Sequence, residues 1–285
     1  MFSWDEVGGP RPAVMGVVNV TPDSFSDGGR WLDPGAAVAH GLDLVAAGAT
    51  ILDVGGESTR PGAHTVNAAE ERARIEPVVA RLVAEAGVPV SIDTTKASVA
   101  AAALDAGARI VNDVSAGRDD GELLPLVAAR GAGVVLMHML GDPRTMQTDP
   151  RYDDVVAEVG GFLVARAAAA QDAGVTTRAI ALDPGIGFGK TTAHNLELLA
   201  HLDDLVARVG LPVVVGTSRK RFIGRVLADV AGETGEPPAD QRDDGTLGTT
   251  VWAAECGARV IRVHDAKAAA RALDLLGLVD TAAAA

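Results

Sequence analysis

The stretch Ile180–Thr191, IALDPGIGFGKT, sets one carboxylate, Asp183, beside three glycines and a lysine. An apolar run ends on the acid and then breaks at Pro184-Gly185. A strand that ends this way holds a carboxylate rigidly and lets a flat ligand lie close to backbone. Taken alone, the segment is equally an ordinary strand-to-helix turn with a solvated Asp183. Elsewhere the same grammar recurs: apolar runs end at Asn19, Gly55-Gly56, Asp93, Asn112, Met137-His138, Gly216-Thr217-Ser218 and His264.

These residues divide into two chemical kinds. Asp93, Asn112 and Asp183 suit a flat heterocycle with adjacent N–H donors and a ring acceptor. A carboxylate accepts two parallel N–H bonds, and an amide supplies one donor group and one acceptor. The plainer alternative is that they cap helices. The second kind is cationic: Arg60, Lys220, Arg262 and His264, with Arg219 and Arg221 nearby. Ser218–Arg221 opens a helix, whose free N–H groups and dipole favour an anion. Arg262 and His264 stand two apart, on one face of a strand end. Asn19 and the acids Asp23 and Asp27 suit a magnesium ion, which takes few protein oxygens plus water and substrate. The six histidines are scattered without zinc spacing, and Ser24, Ser58 and Ser218 have no identifiable base. The chemistry is therefore one of positioning and charge stabilisation.

The elements that must carry these residues are eight apolar runs, predicted as strands at 13–20, 50–54, 88–92, 109–111, 133–137, 179–182, 211–215 and 259–263. Between and after them, helical spacing covers 35–47, 69–85, 96–105, 122–130, 151–173, 195–208, 245–255 and 266–276, and 232–242 is a polar connection. Repeated strand–helix units with doubly buried strands make a parallel sheet. Eight of them in about 250 residues predict an α/β fold of the (β/α)8 TIM barrel type, in a single domain with its core over about 13–276. An open doubly wound sheet should carry GxGxxG after the first strand, where this chain has NVTPDSFSDGG. In a barrel the strand ends form one rim. The opposite turns, such as AAGAT, AGVPV and DAGAR, hold only Gly, Ala, Pro and a few flanking residues, so the polar groups gather at one rim.

Composition narrows the partners. Across 285 residues the net charge is −13, which argues against nucleic acid or an anionic membrane. Aromatics make up 3%, leaving few platforms for stacking bases. The single cysteine, Cys256, forms no intramolecular disulfide and no thiolate cage. Neither a signal peptide nor an apolar run of spanning length is visible, so a cytoplasmic location is expected.

Taken together, NVTPDSFSDGG, GGESTRPGA, SIDT, NDVS, MHMLGDPRTMQ, LDPGIGFGKT, SRKRFIG and RVHD closely resemble the dihydropteroate synthases, a folate-pathway family. The match runs in order from about Met15 to Asp265. The resemblance implies a (β/α)8 barrel and a transferase that joins 6-hydroxymethyl-7,8-dihydropterin diphosphate to 4-aminobenzoate, giving dihydropteroate and diphosphate. It implies that Asp93, Asn112, Asp183 and Lys220 hold the pterin, with Met137 and Val114 packed on the ring. Asn19 would help bind Mg2+. Arg262, His264, Thr59 and Arg60 would hold the diphosphate. Thr59, Pro61, Phe188 and the Lys220–Arg221 turn, beside Gly216, would line the aminobenzoate pocket, and Lys220, Arg262, His264 and Arg60 would carry catalysis. Arg221 departs from the serine of many relatives, which leaves its contact to the aminobenzoate carboxylate open. Phe25, Thr59 and Pro61 are ordinary for the family, so sulfonamide sensitivity is expected, as is a homodimer. Two rivals stay in view: a methyltetrahydrofolate-dependent methyltransferase module, which should lack the first two loops, and a non-catalytic pterin-binding paralogue, which should have lost some of the cations.

Overall fold

The computed structural model describes residues 1–7, 9, 11–21, 33–58 and 65–283. Eight parallel strands alternate with helices: β1 (Ala13–Asn19), β2 (Ile51–Gly55), β3 (Val90–Asp93), β4 (Ile110–Asp113), β5 (Gly133–Met137), β6 (Ile180–Asp183), β7 (Val214–Val215) and β8 (Val260–Val263). Each opens on apolar, largely β-branched residues, and the strand positions are buried on both faces save Asn19 and Arg262, as a parallel sheet under helices requires. Their order is β6-β5-β4-β3-β2-β1-β8-β7, and a bridge between Leu182 and Val213 joins the two ends into a barrel. The Leu182 N–H donates to Pro212 O at 2.9 Å across that seam.

Among the described residues the helices are α1 (Pro34–Ala46), α2 (Ala68–Glu85), α3 (Ala97–Asp105), α4 (Leu123–Arg130), α5 (Val155–Asp172), α6 (Thr192–Ala200), α7 (Leu202–Val209), α8 (Arg221–Ala231), α9 (Asp243–Glu255) and α10 (Ala266–Ala283). Side-chain oxygens of Asp33, Asn67, Asp154 and Thr191 cap α1, α2, α5 and α6, each accepting a backbone N–H of the first turn. Three sequence expectations are corrected. The predicted 195–208 helix is two helices that meet at His201. The predicted 151–173 helix starts only where Asp154 caps it, at Val155. The seventh strand shrinks from five residues to two, because its first part only bridges to Leu182.

Residues alternate between the barrel interior and the helical layer with the two-residue period of a strand. Ala13, Met15, Ile51, Ile110, Val135, Ala181, Val214 and Val260 fill the interior at the end where the strands begin. The N-terminal segment plugs that end with Phe2 and Trp4, whose indole Nε1 donates to Ala179 O at 3.0 Å. Further along the same strands the inward positions turn polar: Asp53 follows Ile51, Ser91 leads to Asp93, Asn112 follows Ile110, and Arg262 follows Val260. The apolar end therefore carries the packing, and the polar end is left for chemistry.

Candidate active site

Adjacent strands bring the rim residues side by side. In register, Gly55 pairs with Asp93, and Asp93 with Asn112. Arg262 on β8 reaches across, donating Nε to Asp53 Oδ2 at 2.7 Å and Nη2 to Asp93 Oδ2 at 2.9 Å. Asn112 Nδ2 donates to the same Asp53 oxygen at 2.9 Å. Asp53, fully buried, is thus the hub that ties the amide to the arginine, and among the described residues its Oδ1 has no hydrogen-bond partner. Sequence reading missed Asp53 although a signal was present: a carboxylate at an inward position of the otherwise apolar ILDVG run must be compensated.

Electrostatics follow from this packing. Burial pushes the Asp93 carboxyl up to about 7, with Arg262 opposing and Asp53 reinforcing the shift. Burial works against the Arg262 cation too, but Asp53 and Asp93 outweigh it and raise its pKa above the usual arginine value. Asp183 is raised by burial, against the pull of Lys220 and of the Gly185 N–H, which donates to its Oδ1 at 2.7 Å. Lys220 is lowered to about 8 by burial, while Asp183 supports its charge.

Lys220 donates its ammonium to Ile186 O and lies 4.7 Å from the centroid of the Phe188 ring, a cation–π contact. The loop beneath it needs its glycines. Gly185 and Gly189 have φ of 66° and 62°. A Cβ at Gly185 would overlap the His138 carbonyl oxygen, and one at Gly189 would sit 2.6 Å from Leu140 O. Close backbone packing accounts for these glycines. Val114, Met137, Met139 and Met146 form a buried apolar wall against which Phe188 packs.

On the opposite side, Ser218 Oγ accepts the His264 backbone N–H at 3.1 Å and stands 2.9 Å from His264 Nδ1. With that hydroxyl donating to Nδ1, the ring proton stays on Nε2, which becomes a donor for an anion. Gly216 leaves room between Arg262 and Lys220, since a Cβ there would stand 3.6 Å from the former's Cβ and 3.9 Å from the latter's Nζ. Asn19 ends β1 beside Gly55.

The structure therefore gathers Asp93, Asn112, Asp183, Lys220, Arg262, Met137, Val114, Phe188, Gly216 and Asn19 at the rim, with His264 on the same side. Arg221 is placed elsewhere: its exposed guanidinium pairs with Glu236 at 2.9 Å, because the first turn of α8 points it outward toward the 232–242 connection. Thr59, Arg60 and Pro61, like Asp23, Phe25 and Asp27, lie outside the described residues.

Comparison with known proteins gives a consistent result. A family model described as pterin binding enzyme matches residues 15–264. The dihydropteroate synthase of Mycobacterium leprae is 52% identical, over 93% of this chain and 92% of its own length. The solved structure of Xanthomonas albilineans dihydropteroate synthase with 4-aminobenzoic acid superposes with a TM-score of 0.86 at 50% identity, covering 95% of this chain and 93% of that one. A dihydropteroate synthase from the same organism in complex with 7,8-dihydropteroate gives 0.81 at 44% identity, with 95% and 93% covered.

Proposed function

The chain belongs to the pterin-binding enzymes, among the dihydropteroate synthases, and from that premise we propose how its rim works. It is a transferase that condenses 6-hydroxymethyl-7,8-dihydropterin diphosphate with 4-aminobenzoate to give 7,8-dihydropteroate and diphosphate. The single observation that carries the site reading is the Arg262–Asp53–Asn112 and Arg262–Asp93 network, which sets hydrogen-bonding groups of both kinds beside a guanidinium.

In this reading Asp93, Asn112 and Asp183 take the pterin edge, and Met137 and Val114 pack on the ring. Lys220 sits between Asp183 and Phe188, where it contacts pterin on one side and the aminobenzoate pocket on the other. Arg262 and the Nε2 proton of His264 bind the diphosphate and stabilise the charge that builds up as the C–O bond breaks. Loss of diphosphate first leaves a cation delocalised into the pterin. The neutral arylamine then attacks it, a step that calls for no activated nucleophile from the protein. Thr59, Arg60 and Pro61 belong to the same reading by family resemblance.

Magnesium belongs to it as well. Asn19 would supply one hard amide oxygen at the end of β1 beside Gly55, a donor suited to an ion that draws its other ligands from water and phosphate. Bound there, the ion would neutralise the departing diphosphate. A homodimer, a cytoplasmic location and sulfonamide sensitivity complete the proposal. The chain has no described helix long and apolar enough to cross a membrane. The deciding experiment is a diphosphate-release assay. Release that requires both substrates, with dihydropteroate as product, supports the reading. Diphosphate release with no dihydropteroate formed when both substrates are present refutes it in favour of a hydrolase, and pterin binding without turnover refutes it in favour of a non-catalytic pterin binder.

A further inference from the structure

The 185–189 loop is held almost entirely by side chains. Gly185 N–H donates to Asp183, and Gly187 N–H donates to Asn195 Oδ1 at 2.7 Å. Gly187 O accepts from Gln147 Nε2 at 2.6 Å, and Gly189 O accepts from the Tyr152 hydroxyl at 2.8 Å. Ile186 O accepts from Lys220. The two remaining carbonyls converge on one buried ammonium: Lys190 Nζ donates to Gly185 O at 3.0 Å and to Phe188 O at 3.1 Å. Its third partner is His138 Nδ1 at 2.9 Å. Three partners thus surround an amine only 3% exposed, whose pKa burial lowers well below the usual lysine value while Asp183 opposes the shift.

We propose that Lys190 is a positioning residue for the condensation: it locks the loop so that Phe188 stays under Lys220 and against the methionine wall, without touching either substrate. Several observations support this. The lysine sits behind the loop, next to His138, whose ring packs edge-on against Phe162 at 4.9 Å. Its two carbonyl acceptors bracket the loop at residues 185 and 188, so one ammonium sets the path of the backbone between them. Phe188 N–H also donates to Gly185 O at 3.0 Å, which makes the Lys190 contact a cap on a turn already formed. The chemistry is that of a buried polar network with every member satisfied, which specifies one geometry and loses it when a member is removed. A shift of about 1 Å at a reacting group costs on the order of 100-fold in rate. Asp183, by contrast, is carried on strand β6, and its hydrogen bond from this loop is the Gly185 N–H.

The inference rests on the synthase reading, and the test separates the two. Wild-type turnover with both substrates tests the reading; the variants test the role of Lys190. Lys190→Met is expected to raise KM for 4-aminobenzoate at least about 10-fold while KM for the pterin diphosphate changes less than about 3-fold. Hydrogen exchange of the peptide covering 185–189 should accelerate in the same protein without any substrate. Lys190→Gln, which keeps two N–H donors on a shorter stem, should recover part of the aminobenzoate KM. Equal effects on the two KM values, or unchanged exchange in the loop, would overturn the proposal. Failure of both variants to fold would also overturn it, because Lys190 would then serve the barrel as a whole.

Discussion

Asp93→Asn should make the enzyme more stable at alkaline pH while disabling it. Asp93 is buried beside Arg262 and near Asp53, and its carboxyl is raised to about 7 from an ordinary value near 3.8. Between those two values the native protein holds a proton that the unfolded chain has lost. Stability therefore falls as pH rises through this window and levels off above about 7. Each unit is worth about 1.4 kcal/mol, so the full effect is on the order of 4 kcal/mol. Asparagine mimics the protonated acid at every pH. The variant should match the wild type near pH 4 and exceed it by up to about 4 kcal/mol near pH 8. Urea unfolding at several pH values measures this directly. With a slope of about 3 kcal/mol/M or more for a chain of this size, the midpoint gap should open by roughly 1 M. A gap that stays constant from pH 4 to 8 would mean that Asp93 titrates normally, and the buried electrostatics argued above would fail. Activity should move the other way, since the carboxylate that destabilises the fold is the one offered to substrate.

Three further outcomes follow from the same geometry. Asp183→Asn replaces a charge-assisted contact worth about 1.5–3 kcal/mol, so pterin affinity measured by calorimetry should fall roughly 10- to 150-fold; unchanged affinity would remove Asp183 from the site. Arg262→Ala should lower turnover more than it lowers affinity for the diphosphate-free pterin, and equal losses would contradict its grip on diphosphate. Gly185→Ala forces a side chain into left-handed backbone and into the His138 carbonyl, at a combined cost of about 2–5 kcal/mol. Its melting temperature by calorimetry should drop by about 5–15 °C, and a drop under about 2 °C would show that the loop yields easily.

The barrel was legible because the strands are short apolar runs, most of them leading into polar residues or glycine, and most helices have a capping residue or an amphipathic face. Asp183 was legible for the same reason: an acid at a strand end breaks an apolar pattern. Asp53 is masked by the apolar run around it and the glycines after it, although strand parity places it on the same face as Ile51, in the interior. The plug formed by Phe2 and Trp4 had no local signature. Its partners Gly133 and Ala179 lie more than a hundred residues away, and only the closed barrel brings them together. The split at His201 was equally invisible, since the apolar spacing continues across it. Arg221 shows the limit of motif reading, because its direction depends on Glu236 in a connection with no periodic pattern.

The rim also explains how a chain of net charge −13 handles an anionic substrate. At physiological salt, charges beyond about 8 Å are largely screened, so the surface acids matter less than the two cations beside the ligand. Those cations would be costly to bury alone. Asp53 and Asp93 offset the cost of burying the Arg262 guanidinium, and Asp183 supports Lys220 against a burial that has already brought it to about 8. The carboxylates that read the heterocycle are therefore also groups that offset the burial of the anion-binding cations. Removing one of them should weaken both recognition tasks together, so the pterin and diphosphate subsites behave as one electrostatic unit.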